Sequence, residues 1–198
     1  TRIVPIPKPD GGIRPISVSH FMLKLAGGLA LKDGPDRLKQ WQYADTGNIA
    51  GAKKIIHKCR ALLNDGNTVS KFDLKNAYGE MPRALCATAV LSAKSPMLSD
   101  YFKTVYLRQS DGVVFGPRGA TSIVALTEGV RQGDATSAYI FCRALDIIIT
   151  EIVEKCKEEE VVIPTERVFC YMDDLTLVLE KAEQAATVAR IVQAVMES

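Results

Sequence analysis

The sequence predicts an α+β fold, a layer of strands in one sheet with helices packed on one side of it. Three observations carry the prediction. The chain has 198 residues, 47% hydrophobic and 24% charged, enough for one substantial core or two small lobes sharing one. Helical periodicity recurs in several long segments. Between them stand short apolar runs bounded by turn residues, in the order extended pieces, helix, strand, helices, hairpin, long helix, hairpin, helix.

Residues 1–19 read as extended pieces, Ile3-Val4-Pro5-Ile6 and Ile13-Arg14-Pro15-Ile16, around a tight turn at Lys8-Pro9-Asp10-Gly11-Gly12. Residues 21–31 are helical, weakened by Gly27-Gly28. A stronger helix takes Asn48 as its N-cap, runs through Ile55, Ile56, Cys59, Leu62 and Leu63, and stops at Asp65-Gly66. Residues 69–74 form a strand entering a buried sheet, followed by helices over about 82–93 and 98–107. Val113-Val114-Phe115 and residues 122–126 make a hairpin across Gly116-Pro117-Arg118-Gly119. A long helix fits 135–158. Strands over 167–171 and 176–179 meet at Met172-Asp173-Asp174-Leu175, and an amphipathic helix over 182–196 ends the chain.

Composition narrows the function. The longest apolar run, residues 144–153, is interrupted by Asp146 and Glu151 and falls short of the roughly 20 apolar residues a bilayer needs. No N-terminal stretch has the order of a signal peptide. Thr1 is not an initiator Met, so the chain is expected to be an excised or processed piece of something longer. Cys59, Cys86, Cys142, Cys156 and Cys170 are odd in number and widely spaced, unlike a zinc or disulfide framework, so a reducing intracellular compartment, nucleus or cytoplasm, is expected. The net charge of +2 does not announce a nucleic-acid binder. The basic residues Arg2, Lys8, Arg14 and Lys24 nevertheless crowd the N-terminal part, while Glu158, Glu159 and Glu160 form an acidic run.

Asp73, Asp173 and Asp174 stand out. Alternation points Asp73 away from Phe72 and Leu74, and Asp173-Asp174 sits at a hairpin tip between apolar strands. Charged residues within apolar strands cost stability unless paired or holding a metal. Carboxylates from separate strands can converge on two hard divalent ions, the arrangement that serves in-line phosphoryl displacement. The bland alternative is that two Asp in a turn are ordinary and that Asp73 bonds to a loop.

The surrounding residues carry a resemblance. Tyr171-Met172-Asp173-Asp174 resembles the catalytic hairpin of reverse transcriptases, and Phe72-Asp73-Leu74-Lys75-Asn76-Ala77-Tyr78 their first catalytic strand. Glu128-Gly129-Val130-Arg131-Gln132-Gly133-Asp134 is similar to the family's template- and nucleotide-contacting loop, and Ile6-Pro7-Lys8-Pro9-Asp10-Gly11-Gly12-Ile13-Arg14-Pro15-Ile16 to its fingers segment. The four stand in the family's order and together cover residues 3–180. The wording is closest to enzymes of non-LTR retrotransposons and group II introns. Two departures bear on subfamily and touch no metal ligand. Ala135-Thr136-Ser137 follows Asp134 where the family more often has Pro, and Met172 replaces the Ala common in non-LTR enzymes.

The resemblance implies a polymerase palm, an antiparallel sheet with helices on one face, plus a fingers subdomain, with the thumb absent. Fingers would take residues 1–70 and palm 71–198, with fingers re-entering around 98–126. Asp73 and Asp173 would bind two Mg²⁺ ions, with Mn²⁺ as an alternative, Asp174 would complete the set, and the carbonyl of Leu74 or Phe72 would add a ligand. Lys8 and Arg14 would reach the incoming triphosphate. Tyr78 would lie under the sugar and clash with a 2′-hydroxyl, its alternative being a core tyrosine. Gln132 and Gly133 would lie against the nascent base pair, and Arg131, Tyr171 and Met172 near template and primer. For isolated basic residues such as Lys8 and Arg131, facing water is the alternative. Trp41 and Tyr43 either stack on template bases or pack against the fingers.

The implied activity is an RNA-directed DNA polymerase that extends a DNA or RNA primer on an RNA template with deoxynucleoside triphosphates, inside a longer polypeptide and away from membranes. The competing readings are an RNA-dependent RNA polymerase palm and a domesticated or truncated domain that binds nucleic acid or protein without synthesis.

Overall fold

The computed structural model describes residues 1–9, 11–44, 50–108, 110–115 and 120–197. In chain order the elements begin with β1 (Arg2–Pro7), β2 (Ile13–Val18), α1 (Phe21–Lys32), α2 (Gly51–Asn64), β3 (Thr68–Asp73), α3 (Ala77–Glu80) and α4 (Arg83–Ser92). They continue with α5 (Pro96–Val105), β4 (Ser110–Phe115), β5 (Thr121–Leu126), α6 (Ser137–Glu158), β6 (Val168–Tyr171), β7 (Asp174–Leu179) and α7 (Gln184–Met196). The chain divides into two compact units that are interleaved in sequence. The first is Thr1–Arg37 with Asn76–Ala144, and the second is Leu38–Lys75 with Leu145–Ser198.

The strands of the described residues form two sheets, which corrects the expectation of a single one. In the first unit the order is β2-β1-β4-β5, antiparallel except where β1 meets β4 in parallel at Arg2↔Val113 and Ile3↔Val114. Period-2 runs locate strands but do not say which run supplies a partner a hundred residues away. The helical core of this unit is clearest in α5. Ser95 accepts a bond from the Leu98 N–H at 3.2 Å, Pro96 occupies the first turn, and Leu98, Tyr101, Phe102 and Val105 recur at helical spacing and are all buried.

In the second unit β7 is central, in the order β3-β7-β6. Flanked on both sides, Leu175–Leu179 is buried at every position, Thr176 included. The segment 41–43 joins the β6 edge: Tyr43 N–H donates to the Cys170 carbonyl and Cys170 N–H to the Trp41 carbonyl, both at 2.8 Å. Ile55, Cys59 and Leu62 of α2 pack with Tyr43, Phe169 and Val178. The helix starts at Gly51 after Ala50 in left-handed backbone at φ 60°, and no side chain fits at Gly51 against the Tyr43 carbonyl. The expected cap Asn48, the turn residue Asp10 and the turn 116–119 lie outside the described residues. No described helix is long and apolar enough to cross a membrane.

Candidate active site

Antiparallel pairing of β3 with β7 runs from Thr68↔Leu179 to Asp73↔Asp174, so two carboxylate residues end facing strands in register. Asp173 is joined to the same end: its carbonyl accepts the Leu74 N–H at 3.3 Å. Tyr171 pairs with Asp174, leaving Met172-Asp173 as a two-residue turn. Met172 takes φ 55° there, a conformation uncommon outside glycine, and its carbonyl lies 3.3 Å from the Cys170 thiol. Tyr171 is 39% exposed. Phe72 pairs with Leu175, and both Phe72 and Leu74 are half-buried around exposed Asp73, the alternation the sequence predicted.

Burial is not what makes these aspartates unusual. Asp73 is exposed and Asp173 and Asp174 are half-buried, so the cost of charges within apolar strands does not apply to them as expected. Register supplies the reason instead, because like charges directly opposite on neighbouring strands repel. A cation answers that repulsion here: Lys71 Nζ lies 2.9 Å from Asp174 Oδ1. The bond to Asp174 and its charge push the Lys71 ammonium up from its ordinary pKa, with smaller attraction from Asp73 and Asp173. The donor set, carboxylates plus backbone carbonyls, is the hard oxygen chemistry that magnesium and manganese prefer. Among the described residues, no group of three or more His, Cys, Asp or Glu already stands close enough to enclose an ion. The donor chemistry and the strand register suit such an ion.

The remaining expected residues lie in the first unit. Lys8 flanks the β1–β2 turn, its N–H donating to the Gly12 carbonyl at 2.7 Å, and exposed Arg14 pairs with Ile6 across the hairpin. Gln132 is tied to the same hairpin, since its carbonyl accepts the Ser17 N–H at 2.7 Å. Gly133 has φ 105°, and a Cβ there would stand 2.6 Å from the Ser17 carbonyl oxygen. Its freedom is therefore used for approach to β2. Tyr78 is half-buried, with its ring stacked on Phe141 and its carbonyl accepting the Val130 N–H at 2.8 Å.

Two expectations are corrected. Arg131 faces neither template nor water: it is buried, donates to the Val105 carbonyl at 2.9 Å and the Ser110 hydroxyl at 2.7 Å, and lies over the Tyr106 ring. Five donors in a planar fork suit such internal bracing as well as they suit phosphate. Trp41 and Tyr43 are buried in the second unit, where the Trp41 indole N–H donates to Asp146 at 2.7 Å and Tyr43 packs on Phe169, so neither ring is open to a base.

Sequence reasoning missed three supporting residues. Lys71 could have been found from its place two before Asp73, on the same strand face. Asp134 accepts the Tyr101 hydroxyl at 2.9 Å and the Thr136 N–H and hydroxyl, fixing the end of the 128–134 loop; burial first and this carboxylate second push the Tyr101 hydroxyl up. Asp146, noted only for interrupting an apolar run, also accepts from the Gln42 amide and the Lys39 N–H.

Comparison with known proteins bears on the whole chain. The family model described as reverse transcriptase (RNA-dependent DNA polymerase) matches residues 6–198. Among curated proteins, none matches the chain in sequence. Among solved structures, the chain is similar to apo telomerase from Candida tropicalis truncated from the C-terminal domain, at 16% identity and TM-score 0.59, covering 100% of this chain and 46% of that one. It is similar also to Candida albicans telomerase in complex with a TWJ fragment of telomeric RNA, at 14% identity and TM-score 0.63, covering 96% and 39%. A third is the corresponding Candida tropicalis complex, at 14% identity and TM-score 0.62, covering 98% and 38%. The chain thus spans less than half the length of each, and at these identities the likeness establishes a shared fold. With a mixed α+β architecture, that fold, and a family match over all but the first five residues, the chain belongs to the reverse transcriptase (RNA-dependent DNA polymerase) family as a fingers-and-palm domain.

Proposed function

We propose that the chain is the nucleotidyl-transferring core of a retroelement-type reverse transcriptase, which extends a primer 3′-hydroxyl on an RNA template with deoxynucleoside triphosphates. One observation carries the proposal: Asp73 and Asp174 end paired strands in register, with Asp173 in the turn bonded to Leu74, in a chain of the reverse transcriptase family. Asp73 and Asp173 would hold two divalent ions and Asp174 complete the set, with the carbonyl of Leu74 or Phe72 as a further ligand. Magnesium or manganese bound there supplies charge stabilisation to the attacking and leaving oxygens of an in-line displacement.

The chain's own side chains supply the rest. Lys8 and Arg14 receive the triphosphate, and Gln132 and Gly133, fastened to the strand that carries Arg14, meet the base of the incoming nucleotide. The stacked Tyr78 ring sits beneath the sugar and rejects a 2′-hydroxyl by clash. Tyr171 and Met172 border the primer end. Catalysis then rests on positioning and charge, with no covalent intermediate. An RNA partner is supported by two of the similar structures, which hold a fragment of telomeric RNA. The setting we propose is intracellular, in nucleus or cytoplasm, within a longer polypeptide.

A second reading, a domain that binds nucleic acid or protein without synthesis, is favoured by the Asp174 carboxylate being held by Lys71. Single-nucleotide primer extension on an RNA template with Mg²⁺, comparing the intact chain with Asp173→Asn, separates the two. Extension that prefers deoxynucleotides and disappears in the variant is expected. Folded protein that binds primer–template and never extends it, even when the remainder of the polypeptide is supplied, would establish the binding role.

A further inference from the structure

Lys71 precedes Asp73 by two residues on β3, so the two side chains share one face of the strand. On β7, Asp174 stands directly opposite Asp73, and Thr176 opposite Lys71. Lys71 is therefore the diagonal neighbour of Asp174, within reach of a long side chain. Its Nζ meets Asp174 Oδ1 at 2.9 Å, with the two side chains 62% and 44% exposed. The carboxylates of Asp73 and Asp173 attract the same ammonium. A single positive charge thus serves a set of three negative ones, at the place where the register forces two of them together.

We propose that Lys71 is the resident counter-ion of this carboxylate set, holding Asp174 in the metal-free protein and releasing it when a divalent cation binds. The inference rests on the reading of Asp73, Asp173 and Asp174 as a metal site. An ammonium on a flexible four-carbon stem is a compact charge that leaves without moving the strand beneath it. The lysine and an incoming cation compete for the same carboxylate. By linkage, each then weakens the hold of the other. A surface ion pair with no such role would be indifferent to the cation.

The test is Mn²⁺ binding followed by electron paramagnetic resonance on the intact chain, with urea unfolding beside it. Lys71→Gln is expected to tighten Mn²⁺ binding about two- to five-fold, the range an exposed ion pair is worth. Without metal, the same variant unfolds at lower urea than the wild type, and saturating Mg²⁺ closes the gap. In an Asp174→Asn background, where only the weaker attraction of Asp73 and Asp173 remains, Lys71→Gln changes both quantities less than in the wild type. A tightening as large in that background as in the wild type would mean a through-space effect of the charge alone and would overturn the pairing. Unchanged or weaker binding by Lys71→Gln, while Asp173→Asn abolishes binding in the wild type, sinks the counter-ion alone. Absence of Asp173-dependent binding in every variant removes the metal site itself and this inference with it.

Discussion

The ring of Tyr78 lies flat against that of Phe141, with centroids 4.5 Å apart and planes 12° from parallel. Phe141 is fully buried in α6, so a fixed surface holds the tyrosine ring in one orientation. Replacing Tyr78 with Ala should lower the preference for deoxynucleotides over ribonucleotides by on the order of tenfold or more, because the clash proposed for its ring goes with it. Phe141→Leu keeps an apolar side chain of somewhat smaller volume and loses the stack, and its preference should fall between those of the wild type and the Ala variant. The ratio of kcat/KM for the two nucleotide types measures both effects.

Gly133→Ala tests the fastening of the 128–134 loop to β2. The substitution puts a Cβ 2.6 Å from the Ser17 carbonyl oxygen and asks a non-glycine residue to hold φ 105°. A loss of about 1–3 kcal/mol in unfolding free energy is expected. The KM for nucleotide should rise with it, since Gln132 shares the anchor. Urea unfolding and steady-state kinetics read the two.

Arg131→Met should behave as a core substitution. It leaves the Val105 carbonyl and the Ser110 hydroxyl without the guanidinium that bonds them, at a cost of about 1–3 kcal/mol. The salt dependence of RNA binding should stay as in the wild type. Arg14→Ala, on the exposed hairpin, should instead reduce the log–log salt slope by about 1 and leave stability within about 0.5 kcal/mol.

Alkaline pH should destabilise the protein through its buried thiols and hydroxyl. Burial pushes the Cys86 thiol up to about 12, the Cys156 thiol up to about 11 and the Tyr106 hydroxyl up to about 12. Each folded value exceeds the ordinary one, so the unfolded chain releases these protons first. The stability they carry is fully present below about pH 9 and is lost as pH rises toward 12, each group contributing up to about 1.4 kcal/mol per pH unit. Urea midpoints taken from pH 8 to 10.5 should fall, and more gently in Cys86→Ala once referred to that variant's own value at pH 8.

What the sequence disclosed follows distance along the chain. The apolar spacing that buries Leu98, Tyr101, Phe102 and Val105, and the turn at Met172-Asp173, are local patterns and were readable. So were the three aspartates, because the residues on either side of them carry the family resemblance. The parallel pairing of β1 with β4 was hidden, since its partners are more than a hundred residues apart and periodicity does not name partners. Arg131 shows a different limit. A basic residue in a loop reads as exposed, and only the placement of Val105, Tyr106 and Ser110 turns it inward. Trp41 was obscure for the same reason, its acceptor being Asp146 on a distant helix.

The three-stranded sheet of the second unit ends differently on its two sides. The β6 side is closed by the Trp41–Tyr43 segment through its bonds to Cys170. Among the described residues no strand pairs with β3 beyond β7, and that border carries Lys71 and Asp73. Charges on a border strand discourage a foreign chain from extending the sheet, which would have to strip water from them. The strand that carries the proposed ligand Asp73 is therefore also the one whose charges guard the sheet against copies of the protein stacking border to border into aggregates.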